Sequence, residues 1–291
     1  FINLEKILKN NAELKGDDKT KNYYQSVGWV KEKGKYGDNT NFGQSKPLGV
    51  IQTNNQIQHW DKLSKEILTH KGKKVKILDC GCGANPVIIN PSICSVVEEY
   101  VGIDFSDIAL QEANKRIQKE TTFSGKKHFQ NADMVKIPLT NEEFDYVYSG
   151  NSLIHVSNLE AQKASLREMA RVTKSNGTIT IIYDNQYPLF FPFRLASRIL
   201  SKYQWIRKIF KKNSPIPYNL MSINEIRSTL SEYGDVTISS WVFPTNIVAK
   251  NLNEDNIFSK FVWSFFGFME HKLPKIAAYT GSIYRITCIK K

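Results

Sequence analysis

From residue 75 onward the chain alternates short apolar runs with stretches whose apolar residues recur every three or four positions. The runs Val75–Cys80, Glu99–Asp104, Lys127–Gln130, Phe144–Ser149 and Thr178–Tyr183 are short and rich in β-branched and aromatic residues, so they read as strands. Between them, Ser106–Thr121 sets Ile108, Ala109, Ala113 and Ile117 on one helical face, and Asn158–Thr173 does the same with Leu159, Leu166, Met169 and Ala170. Ser175-Asn176-Gly177 supplies a turn that ends this helix and launches the fifth strand. Strands alternating with helices predict an α/β, doubly wound core with a parallel sheet.

Two further β-rich runs, Asp235–Val242 and Ser282–Lys290, bring the expected sheet to seven strands, the last two pairing antiparallel at one edge. The fold class expected is thus a seven-stranded Rossmann-like sheet with an N-terminal lid and a helical cap insertion after the fifth strand. Residues 1–74 form the helical and lid segment, 75–184 the core, and 185–234 the cap insertion. Residues 235–291 complete the sheet around an aromatic-rich insertion.

At 291 residues, 41% of them hydrophobic and 12% aromatic, the chain can bury a full core. No apolar run approaches the roughly 18 residues of a membrane span, and the charged N-terminal stretch is unlike a secretory signal. A cytoplasmic protein is expected. Cys80, Cys82, Cys94 and Cys288 fit no disulfide framework, and Cys80-x-Cys82 lacks a second ligand pair, so reduced thiols and no metal site are expected. The net charge of +12 belongs to the flanks. Residues 1–75 hold 14 Lys/Arg against 8 Asp/Glu, residues 76–185 hold 11 against 14, and residues 186–291 hold 15 against 6. Attraction of a polyanion is therefore not what the core uses, whereas the flanks suit an acidic partner or membrane surface.

The chemistry concentrates in KILDCGCGANPV, residues 76–87. A strand that ends in Asp79 and meets Gly81 and Gly83 lets the backbone turn tightly and approach a ligand at the carboxyl end of a sheet. Asp104 closes the second run about twenty-five residues on, where a carboxylate can accept from ribose hydroxyls, and Asp133 follows the third. The structural alternative for each acid is a helix N-cap.

These pieces resemble the class I S-adenosylmethionine-dependent methyltransferases, on the side of the family that methylates quinones and other small metabolites. The matching segments are ILDCGCGANP, VGIDFS, NADMVKIPL, FDYVYSGNSLIHV and LREMARVTKSNGTITII, in order across about residues 75–184. The resemblance implies S-adenosylmethionine as cofactor. It places Asp79, Gly81 and Gly83 around the methionine part, Asp104 on the ribose, Ile103 and Phe105 near the adenine, and Asp133 with Met134 at the adenine edge. Asn85 stands where the family commonly has a third Gly; Asn tolerates a left-handed conformation, so the turn is expected to survive, with Pro86 opening the helix. NAD-linked chemistry is disfavoured because Pro86 occupies the third Gly register.

The acceptor is less clearly written. Ser149-Gly150-Asn151-Ser152 follows the fourth strand in place of an Asn-Pro-Pro-Tyr-like segment, which argues against methylation of adenine or glutamine amino groups. His155 and Asp184 are the candidate bases beyond the fourth and fifth strands. Tyr23, Tyr24 and Trp29 are the expected lid residues, and His59 receives no role. Pro192 to Lys212 aligns Leu195, Ile199, Tyr203, Ile206 and Phe210 with seven cations and no acid, a pattern suited to an anionic membrane or to a cap. Phe258, Phe261, Trp263, Phe265, Phe266 and Phe268 can extend such a surface or line an acceptor pocket. The expectation is a methyltransferase for a small-molecule, sugar or lipid-linked acceptor, cytoplasmic and peripheral at a membrane, with nucleic acid disfavoured. The alternatives are an RNA methyltransferase and a non-catalytic cofactor-binding scaffold.

Overall fold

The computed structural model describes residues 16–25, 31–32, 35–36, 50–185, 220–242, 256–280 and 283–291. Seven strands form its centre: β1 (Val75–Cys80), β2 (Val97–Asp104), β3 (Lys126–Asn131), β4 (Phe144–Gly150), β5 (Thr173–Asp184), β6 (Gly234–Val242) and β7 (Ile283–Lys290). Their order across the sheet is β3-β2-β1-β4-β5-β7-β6. The first five run parallel, and β7 pairs antiparallel with both β5 and β6.

Parallel strands are covered on both faces, and the sequence of β1 shows how. Val75 and Ile77 point into a cluster with Leu63, Ile67, Ile88, Ile93 and Tyr100, while Leu78 and Cys80 point the other way, toward Val147, Ile179, Leu166 and Met169. The helices on these faces include α1 (Gly16–Tyr23), α2 (Val50–Lys71), α3 (Pro91–Cys94), α4 (Asp107–Glu120), α5 (Leu159–Val172), α6 (Ile223–Ser231), α7 (Ile257–Lys272) and α8 (Pro274–Thr280). Side-chain caps set several starts: Ser106 accepts from the Ala109 amide, Asn158 from the Ala161 amide, and Ser222 with Glu225 makes a capping box.

Several details differ from expectation. β5 begins at Thr173, because Thr173 already pairs with Phe144 before the register shifts and Thr178 pairs with Tyr146. Asn176, at φ 60°, takes up the extra residues, so Ser175–Gly177 is an irregularity within the strand. Ile108 and Leu159 are exposed in the first turns of α4 and α5. The buried stripes instead follow Ala109, Leu110, Ala113 and Ile117, and Gln162, Ser165, Leu166, Met169 and Ala170. Within the segment expected to form the cap, Met221, Ile226 and Leu230 belong to the main core. The basic stretch Pro192–Lys212 and Trp29 lie outside the described residues.

The chain steps outward from β1 to β3 and then returns to β4 on the other side of β1. That reversal opens a crevice at the carboxyl ends of β1 and β4, where sheets of this kind take ligands.

Candidate active site

After β1 the chain turns through Gly81 (φ 70°) and Gly83 (φ 55°), both left-handed. A Cβ on Gly81 would stand 2.4 Å from Ser152 Cβ and 2.9 Å from Met134 Cε, so the loop backbone is pressed into the crevice where only glycine fits. The Gly81 and Cys82 amides donate to the Ile103 carbonyl at 2.8 and 3.0 Å. Ser152 Oγ donates to the Cys80 carbonyl at 2.8 Å and lies 2.7 Å from Ser149 Oγ. This serine pair ties the end of β4 to the end of β1. It was missed in the sequence, although two serines three residues apart at a strand end were its signal.

Two buried carboxylates brace the loop. Asp104 Oδ2 accepts from the Gly83 amide and its Oδ1 from the Ser106 amide, both at 2.9 Å. Burial pushes the Asp104 carboxyl up to about 6, against the lowering effect of amides from Ser106, Gly83 and Phe105. Asp79 Oδ2 accepts from the Val87 amide at 2.8 Å and from the Tyr100 hydroxyl at 2.9 Å. Its carboxyl is raised to about 7, first by burial and further by the neighbouring Asp104. One Asp79 oxygen is thus committed to the turn itself, with Tyr100 as an unforeseen partner.

Two expectations for this loop are corrected. Asn85 is not among the left-handed residues; its Oδ1 accepts from Arg116 Nη1 at 2.8 Å, and the same nitrogen donates to the Ala84 carbonyl at 3.1 Å. The Asn side chain therefore fastens the loop to α4 instead of relieving backbone strain. Pro86 precedes a single 3-10 turn, Val87–Ile89, and Pro91 is the proline that opens a helix. The Ile103 side chain is buried in the core, and its carbonyl is the acceptor of both loop amides.

The N-terminal segment folds over this edge. Lys21 Nζ of α1 lies 3.1 Å from Asp133 Oδ2, while Asp133 Oδ1 accepts from the Val135 amide at 3.0 Å. Met134, beside it, is buried. Ser106 Oγ donates to the Tyr24 carbonyl at 3.1 Å. The Tyr24 ring meets those of Phe105, His155 and Tyr23 edge-on at 6.0, 5.5 and 5.3 Å, and both tyrosines are buried. His155 ends the 3-10 turn Leu153–His155 after β4, and Asp184 ends the neighbouring β5. The fold thus brings Asp79, Gly81, Gly83, Asp104, Phe105, Asp133, Met134, Tyr23, Tyr24 and His155 to one edge. A cleft of about 350 Å³ lined by Lys74, Cys94, Glu98 and Thr122 lies at the opposite, amino ends of the strands.

A methyltransferase-domain family model matches residues 78–181. A demethylmenaquinone methyltransferase of Staphylococcus saprophyticus is 26% identical over 182 residues, covering 57% of this chain and 75% of that protein. One from Leptospira interrogans is 31% identical over 116 residues, 40% of this chain and 45% of that protein. The chain therefore spans three quarters of the first relative but less than half of the second. Among solved structures, the magnesium protoporphyrin IX methyltransferase of Synechocystis with bound SAM superposes with a TM-score of 0.57 at 12% identity, covering 96% of this chain and 99% of that one. This last likeness concerns the fold. The strand order and the family match agree: residues 78–181 carry a methyltransferase domain of the class I S-adenosylmethionine-dependent type.

Proposed function

We propose that the chain methylates a small acceptor presented at an anionic lipid surface. The observation that carries this choice is the outward face of α7, where Ile257, Phe258, Phe261, Phe265 and Phe268 are 85%, 66%, 71%, 49% and 53% exposed. A contiguous aromatic face of this kind marks an interaction site, and aromatic rings suit a membrane interface. Lys260, Lys272 and Lys275 are exposed on α7 and α8, whose one acid, Glu270, is buried. The charge therefore complements anionic headgroups. Among the described residues no helix is long and apolar enough to cross a membrane, so the contact is peripheral.

The residues at the carboxyl edge fit the cofactor. S-adenosylmethionine, when bound, supplies an electrophilic methyl group. Asp104 offers carboxylate lone pairs to the ribose hydroxyls, and Gly81 and Gly83 admit the methionine part without side chains in the way. Asp133 and Met134, with Phe105, would hold the adenine. Tyr23 and Tyr24 cover the site and exclude water, leaving acceptor and donor to be held in line. Where the acceptor is a hydroxyl, His155 takes its proton, and Asp184 is the second candidate base.

The experiment is methyl transfer from labelled cofactor into cell extract separated into lipid, aqueous and RNA fractions, with demethylmenaquinone as the first defined acceptor. Label in the lipid fraction, together with sedimentation on anionic vesicles, supports the reading. Label in RNA, with binding that falls steeply with salt, replaces it by the RNA reading, which the net charge of +12 favours. Cofactor binding without transfer to any fraction means a scaffold.

A further inference from the structure

His59 acquires a setting in the fold that its sequence context does not reveal. It stands on α2, and α7 brings Glu270 and His271 against it from the far end of the chain. His59 Nε2 lies 3.4 Å from Glu270 Oε2, the two imidazole rings are 5.2 Å apart, and one ligand atom from each residue lies within 4.8 Å of the others. His59 and Glu270 are both more than nine-tenths buried, whereas His271 reaches the surface.

Two physical facts point the same way. Tetrahedral zinc with bonds of about 2.0–2.1 Å spaces its ligand atoms about 3.3 Å apart, close to the separation of His59 and Glu270. A divalent cation bound there would neutralise the buried Glu270 carboxylate, with the two rings serving as neutral nitrogen donors. Two nitrogens and a carboxylate oxygen form a donor set that selects zinc-like ions over calcium or magnesium.

We propose that His59, Glu270 and His271 form a three-ligand site for a divalent transition-metal ion of the zinc class. The ion clamps α7 to α2, and so fixes the helix that carries the exposed aromatic face. The site is built by the flanking helices α2 and α7 and shares no residue with the loop at the carboxyl end of β1.

The test is calorimetric titration of the full chain, first stripped with a chelator, with zinc ion alone, followed by thermal denaturation with and without zinc. Saturable binding of a single equivalent and a raised Tm are expected. His271→Asn, at a surface position that leaves folding intact, should weaken binding at least about tenfold, as should His59→Asn and Glu270→Gln. Cobalt substitution should give a spectrum without thiolate charge transfer, since the chain also contains four cysteines. Absence of saturable binding, unchanged affinity in His271→Asn, or a thiolate band would each overturn the site. His271→Asn decides the matter even if the buried variants fail to fold.

Discussion

The Gly83 amide donates to Asp104 Oδ2 at 2.9 Å, so the carboxylate proposed to receive the ribose also fastens the loop proposed to receive the rest of the cofactor. Removing it acts twice. Asp104→Ala leaves the amides of Gly83 and Ser106 without their acceptor and takes the ribose partner away. Each hydrogen bond to a charged group is worth about 1.5–3 kcal/mol, so cofactor affinity measured by calorimetry should fall by at least about tenfold. An unchanged dissociation constant in a folded variant removes Asp104 from the site.

Acidity offers a second handle. Burial raises the folded pKa of Asp79 to about 7 and of Asp104 to about 6, above the ordinary value of 3.8. The native state therefore keeps these protons longer than the unfolded chain. Their contribution to stability is complete below about pH 4 and is lost as pH rises toward about 7. The stability of the protein minus that of Asp79→Asn, from urea denaturation, should decline between about pH 4 and about pH 7. Cofactor binding should run the other way, because ribose hydroxyls prefer an ionised Asp104: affinity should rise through about pH 6. A flat stability difference would show that Asp79 is not desolvated as its burial implies.

Gly81 and Gly72 make a matched pair. Both have positive φ, 70° and 62°, but a Cβ at Gly72 meets nothing within 4 Å while one at Gly81 strikes Ser152. Gly72→Ala should cost only the left-handed strain, about 1–2 kcal/mol. Gly81→Ala adds a steric term of about 1–3 kcal/mol and should also abolish cofactor binding. Equal thermal shifts for the two variants would mean that the loop yields and that Ser152 does not confine it.

The ion pair between Lys21 and Asp133 is about two-fifths exposed on both sides, so it adds little to global stability. Lys21→Ala should leave the denaturation midpoint almost unchanged but speed cofactor exchange, with association and dissociation rising together. Stopped-flow fluorescence reads both rates, and identical rates in the variant would show that α1 does not cover the site.

The core was legible because its signals are local and repeated. Val75–Cys80 is apolar on both faces, as a central parallel strand must be, and three acids fall at three strand ends. What escaped was decided between distant segments. Asn85 looked like a conformational substitute for glycine, but Arg116, a full helix away, decides its use. His59 shows no pattern around itself and gains its setting only when α7 arrives with Glu270 and His271. Tyr100 and the Ser149–Ser152 pair were hidden similarly, since a hydroxyl serving as a brace looks like any other until its partner is placed.

β7 lies between β5 and β6, pairing Ile289 with Thr178 on one side and with Asp235 on the other. During synthesis, β5 and β6 both leave the ribosome before the strand that joins them exists. Until then β5 presents an open hydrogen-bonding edge carrying Ile179 and Ile181, and among the described residues β6 has no strand to pair with. Such an edge is a template for pairing with another nascent chain, and the long-range closure that removes it is slow. The yield of folded protein is therefore governed by how quickly translation delivers residues 283–290 relative to the encounter of two incomplete chains. Weaker induction, which lowers the number of incomplete chains present at one time, will raise the soluble fraction without any change in the native state.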